Sequence, residues 1–137
     1  MTGSAARSEA VACANAEDTA PASGGAPGRA SSCAATAAER GHTVTLFEAS
    51  SSIGGQFNMA KKIPGKTEFN ETLRYFEVMI EKTGVDLKLE TRADVSTLKK
   101  GFDHVILATG VLPRALRLPG INHEKVLSYV DVLREEV

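Results

Sequence analysis

"TVTLFEASSSIGGQFN", residues 43–58, decides how this chain reads. "TVTLFE" (43–48) has the β-branched and apolar content of a strand, and it ends in one acidic residue, Glu48. Five residues of loop separate that acid from the pair Gly54-Gly55, followed by Gln56, Phe57 and Asn58. Taken singly, an acid at a strand end is usually a solvated charge, and a glycine pair is usually a turn. Adjacent glycines also let a backbone pass very close to a neighbour. The surroundings of the stretch decide between these uses.

Before it, "SSCAATAAERGH" (31–42) reads as a short Ala-rich helix, capped by Ser31 or Ser32 and closed by Gly41. After it, "KTEFNETLRYFEVMIEKTG" (66–84) predicts an amphipathic helix. Phe69, Leu73, Phe76 and Ile80 share one face, and Gly84 ends it. "VDLKLET" (85–91) alternates like a strand. "HVILATG" (104–110) has the continuous apolar run of a strand covered on both faces, as in a parallel sheet. "VLSYVDVLREEV" (126–137) reads as a terminal helix. Strands alternating with helices imply a doubly wound α/β sheet.

In such a sheet the residue at the tip of the second strand accepts hydrogen bonds from an adenosine ribose, and Glu48 stands there. The diglycine offers close approach to a pyrophosphate or a flat ring. A buried strand stopping at Thr109-Gly110 lets the chain pass against a planar cofactor. Each feature is weak alone; their order is specific.

With those residues in place, the segment from about Cys33 to Val137 resembles the flavin-binding domain of bacterial-type NADPH-dependent 2,4-dienoyl-CoA reductases, within the NADH:flavin oxidoreductase and trimethylamine dehydrogenase group. "GGQFNMAKKIPGKTEFNETLRYF" (54–76), "ILATGVLPR" (106–114) and "GINHEKVLSYVDVL" (120–133) carry the resemblance. It implies FAD as the cofactor, with Glu48 on the ribose and Gly54, Gly55 and Gln56 beside the pyrophosphate or flavin. It also implies Ala93 near the adenine, and Thr109 and Gly110 against the cofactor. The family passes electrons from NADPH through FAD, an iron–sulfur cluster and FMN to 2,4-dienoyl-CoA, in fatty-acid β-oxidation. NADPH, FMN and the cluster belong to domains of the full-length family and are not expected on this chain. No catalytic residue and no metal ligand set stands out. The cofactors themselves carry hydride chemistry.

The pattern breaks upstream. Dinucleotide folds open with a strand running into G-x-G-x-x-G. Counting back from "AATAAERG", those glycine positions fall on Gly25, Pro27 and Ala30. Proline there removes a backbone donor and adds bulk. Val11 is the only large aliphatic residue between positions 2 and 43, so residues 1–31 are expected to be disordered. Their Gly, Ala, Pro, Arg and Ser content is also what GC-rich codons give when read out of frame. The expected architecture is therefore a partial Rossmann-like FAD/NAD(P)-binding domain over 32–137, a parallel sheet with flanking helices whose first strand and glycine loop are missing or degenerate. One functional reading is part of an FAD-dependent oxidoreductase, completed by the missing family domains. The alternative is a non-catalytic remnant that binds little cofactor.

A net charge of −1, with 24% charged residues, gives no electrostatic reason for a nucleic-acid or membrane partner. Cys13 and Cys33, the only cysteines, are too few for a zinc or iron–sulfur site. With no secretory signal, a reduced cytoplasmic setting is expected, with mitochondria as the alternative. Arg7 and Arg29 suit a transit peptide, whereas Glu9, Glu17 and Asp18 do not.

Overall fold

The computed structural model describes residues 9–15, 28–110 and 116–134. Its strands are β1 (Ala10–Asn15), β2 (Thr43–Glu48), β3 (Asp86–Lys88) and β4 (His104–Leu107). Its helices are α1 (Arg29–Glu39), α2 (Phe57–Ala60), α3 (Glu68–Thr83), α4 (Val95–Gly101) and α5 (Tyr129–Arg134). The strands form one sheet in the order β3-β2-β1-β4 with every pairing parallel. That is the half-order of a doubly wound nucleotide fold, and helices flank it as the sequence implied.

One expectation is corrected. The first strand is present: "AVACAN" (10–15) is β1, paired with β2 on one side and β4 on the other. Lack of large aliphatic residues argued against a strand here. Strand preference, however, depends more on fit to neighbours than on the backbone itself. Two ladders satisfy this segment's backbone, and small side chains suit a central strand on which α1 lies closely. Ala12 and Cys13 are fully buried, with Val11 and Ala14 nearly so. The strand's start is pinned from both flanks. Ala10 donates to the Asp103 carboxylate at 2.8 Å, Asp103 donates back to the Ala10 carbonyl at 2.8 Å, and Thr43 donates to the Glu9 carbonyl at 3.2 Å. The rest of the segment expected to be disordered, 1–8 and 16–27, lies outside the described residues, except that α1 starts at Arg29.

Val11, Cys13, Val44 and Leu46 meet Ala30 and Ala34 of α1, Ile80 of α3, and Ile53 and Val85 in one apolar cluster. Each fully buried Leu or Ile side chain stabilises by about 1.5–3 kcal/mol relative to exposure. The face predicted for α3 is confirmed, with Leu73 and Ile80 buried and Phe76 packed on the cluster. Gly84, at φ +71, ends that helix, as its position implied. On the opposite side of the sheet, Phe47 meets Phe102 edge-on, with ring centroids 5.9 Å apart. The strand predicted over 104–110 ends earlier, at Leu107, and the terminal helix is formed over Tyr129–Arg134.

Candidate functional site

Register fixes where the strands end together. Ala14 pairs with both Phe47 and Leu107, and Asn15 pairs with Glu48. Ala108 donates to the Ala14 carbonyl at 3.0 Å, extending the β4 ladder by one residue. Glu48, Thr109 and Gly110 therefore leave the sheet along one carboxyl edge, on either side of β1. In open α/β sheets, ligands bind outside that edge, where the strand order reverses.

Glu48 is 2% exposed, which is rare for a carboxylate. Its Oε1 accepts the backbone N–H of Ser50 at 2.9 Å. The loop after β3 is stitched to the same place: Thr91 donates to the Glu48 carbonyl at 2.9 Å, and Glu90 to the Ser50 carbonyl at 3.0 Å. Ala93 follows two residues later, half-buried, next to Asp94, which caps α4. The geometry thus brings Glu48, the Ala93 loop, Thr109 and Gly110 to one end of the sheet. Gly110, at φ +76, has open space where a Cβ would stand.

The diglycine divides its roles. At Gly54, φ is +117, and an added Cβ would fall 2.2 Å from Cδ2 of Leu73. α3 therefore packs directly on this glycine. Asn58 Nδ2 donates to the Ile53 carbonyl at 3.0 Å, and Phe57 N–H to the Gly54 carbonyl at 2.9 Å, closing the turn. Gly55 instead lines a cavity of about 310 Å³ of mixed character, with Ser50, Ser52, Lys62 and Arg134. Gln56 lines an apolar one of about 390 Å³, with Phe57, Ile63, Phe69 and Tyr129. Met59 and Leu133 border both.

Two contributors had no signal in the sequence. Ser50 acts through its main chain, which any residue type supplies. Gly28, at φ +82, precedes α1, and an added Cβ there would stand 2.9 Å from Phe57 and 3.3 Å from Phe76. It lets the start of α1 approach the turn after the diglycine. Of the positions matched to the missing glycine motif, Gly25 and Pro27 lie outside the described residues, and Ala30 is buried in α1. His104 pairs with Glu9 at 3.1 Å and His123 accepts from Lys125 N–H at 3.2 Å, so both act locally on the surface.

Residues 24–136 match the family described as pyridine nucleotide-disulphide oxidoreductase. The chain belongs to that family. It is 43% identical over 117 residues to N,N-dimethylglycine/sarcosine dehydrogenase of Chromohalobacter salexigens, covering 80% of this chain and 17% of the relative. It is 36% identical over 107 residues to NADH oxidase of Thermoanaerobacter brockii, covering 76% and 16%. Among solved structures, a 2-naphthoyl-CoA reductase in complex with 2-naphthoyl-CoA superposes with a TM-score of 0.80 at 31% identity, covering 97% of this chain and 19% of that one. The chain thus spans about one-sixth of the length of these curated relatives. Membership of that family implies a domain built for flavin and nicotinamide cofactors. Both its cysteines are free thiols. Among the described residues no helix is long and apolar enough to cross a membrane, and no group of three or more His, Cys, Asp or Glu could hold a metal ion.

Proposed function

We propose that this chain binds FAD across the carboxyl edge of its sheet and serves as the flavin segment of an NADPH-dependent oxidoreductase. The observation that carries the reading is Glu48, a nearly fully buried carboxylate ending β2 beside β1. Its Ser50 contact holds one oxygen in place and points to a pre-set acceptor for ribose hydroxyls. Ala93 would border the adenine, and Gly55, Gln56, Thr109 and Gly110 the pyrophosphate or ring. Gly54 would serve by shaping the turn, since α3 occupies its open side. When bound, the flavin would supply hydride acceptance and release. The chain's own part is to seat the adenosine, close the turn and exclude water.

The relatives' names specify different substrates, a methylated amino acid and NADH among them. A segment common to them suits the shared electron-transfer step, with substrate choice made elsewhere in the longer proteins. Similarity to an aryl-CoA thioester reductase supports a CoA thioester, 2,4-dienoyl-CoA by resemblance, as the substrate of the whole system. Mixing purified chain with FAD tests the reading. Quenched flavin fluorescence and yellow protein after gel filtration are expected, and colourless protein would refute it. The second reading, a remnant with little affinity, is favoured by one observation: proline at position 27, where a phosphate loop needs a glycine.

A further inference from the structure

Neither Cys13 nor Cys33 belongs to the candidate site, yet the fold brings the chain's only two thiols together. β1 turns Val11 and Cys13 to one face, where both join Ala30 and Ala34 of α1 in the apolar cluster. Cys33 precedes Ala34 in α1 and packs against that same cluster. The buried residues of α1 are Ala30, Ser31, Ala34 and Ala35, so no long side chain holds the helix off the strand. Such closeness suits a disulfide, which needs Cα atoms about 4.4–6.8 Å apart. Burial first and the neighbouring Cys33 second push the Cys13 thiol up to about 11, so the two sulfurs lie near enough to interact. Their exposures differ. Cys13 is fully buried, whereas Cys33 is half-buried, where a small oxidant reaches it.

We propose that Cys13 and Cys33 form a dithiol switch, oxidised by hydrogen peroxide to a disulfide that ties β1 to α1. The Cys33 sulfur takes one oxygen as the O–O bond breaks, releasing water and leaving a sulfenic acid. The Cys13 sulfur then attacks the Cys33 sulfur. The S–O bond breaks, and its oxygen leaves as a second water with the proton of the Cys13 thiol. Two electrons pass from the thiols to the peroxide. Cys13 reacts second because burial and its retained proton shield it from the oxidant. The bridge joins the carboxyl-terminal half of β1 to the amino-terminal half of α1 and closes the chain between residues 13 and 33 into a ring. A ring restricts the unfolded chain, so the bridged form resists unfolding more than the reduced form.

Treatment of the native full chain with hydrogen peroxide, followed by tryptic digestion without reductant, tests this. Trypsin cuts after Arg29, between the two cysteines, so only a disulfide can hold their peptides together. The intact monomer should lose the mass of two hydrogen atoms, and the linked peptide pair should appear. Dithiothreitol should reverse both changes, and the bridged chain should unfold at a higher urea concentration than the reduced one. Cys13→Ala keeps a small apolar residue under α1 and removes the second thiol. In that variant Cys33 should instead gain further oxygen or couple two chains. The wild-type peptide map stands by itself if the variant fails to fold. The switch is overturned by a wild type that does not react, that gains oxygen while Cys13 stays a free thiol, that links only between chains, or that keeps its urea midpoint once bridged.

Discussion

The carboxylate of Glu48 accepts the backbone N–H of Ser50 at 2.9 Å, two residues further along its own loop. A side chain so held, and almost without exposure, has already lost the rotamer freedom that a ligand contact would otherwise cost. Glu48→Gln keeps an acceptor for Ser50 while removing the charge. It should therefore fold normally and weaken FAD binding by about 1–3 kcal/mol, the cost of leaving polar partners poorly matched. Flavin fluorescence titration reads the difference. Equal affinity in the two proteins would take Glu48 out of the site.

Gly54→Ala acts on stability. The new Cβ would meet Cδ2 of buried Leu73, and φ +117 is a conformation side chains rarely adopt. Backbone strain of about 1–3 kcal/mol is expected, with overpacking of similar size where Leu73 has little room to move. Adding Leu73→Ala should relieve the clash and leave the strain, so the double variant would lose less than the two single losses combined. Chemical denaturation of the four proteins tests this, and simple additivity would show that Leu73 yields freely.

What was legible in the sequence follows physical logic. β2 and α3 announce themselves by period and by glycine stops, and β4 by its apolar run, because their large side chains must find cover. Glu48 was legible as a strand end, and it closes β2 opposite Asn15, whereas the Thr109-Gly110 step lies just past the end of β4 at Leu107. β1 was hidden because a central strand beneath a close helix needs small residues, and "AVACAN" looks like filler until its two neighbours are known. α2 is a single turn held by the carbonyls of Gly54 and Gly55, too short for a periodic signal. The apolar reading of "HVILATG" was too generous: Leu107 is 71% exposed, so one face of β4 is open among the described residues.

Cys13, at the centre of β1, has its thiol pushed up to about 11, first by burial and then by the neighbouring Cys33. The native state keeps a proton that the unfolded thiol releases near 9.0. The contribution to stability is thus complete below the unfolded value and is lost as pH rises from there through about 11. At pH 8 iodoacetamide should label half-buried Cys33 on α1 and spare Cys13, since only a thiolate reacts. Intact mass after brief alkylation would then show a single adduct on native protein and a second only after unfolding. Rapid double labelling of the native chain would mean that β1 opens readily.

Asp94 governs the loop that carries Ala93. Its Oδ1 accepts Thr97 N–H at 2.6 Å and the Ser96 hydroxyl at 2.9 Å, capping α4. These bonds, that from the Thr97 backbone foremost, hold the carboxyl below the ordinary 3.8. A depressed folded value means the cap is fully effective above the unfolded value and fails as pH falls through the folded one. Asparagine caps helices about as well and does not titrate in this range. Asp94→Asn should therefore match the wild type near neutrality and lose less stability on acidification below about pH 4. Melting curves stepped from pH 7 to 3 measure the gap between the two proteins. Identical acid profiles would show that the cap carries no linkage, and that the Ala93 loop is held by its bonds to Glu48 and Ser50 alone.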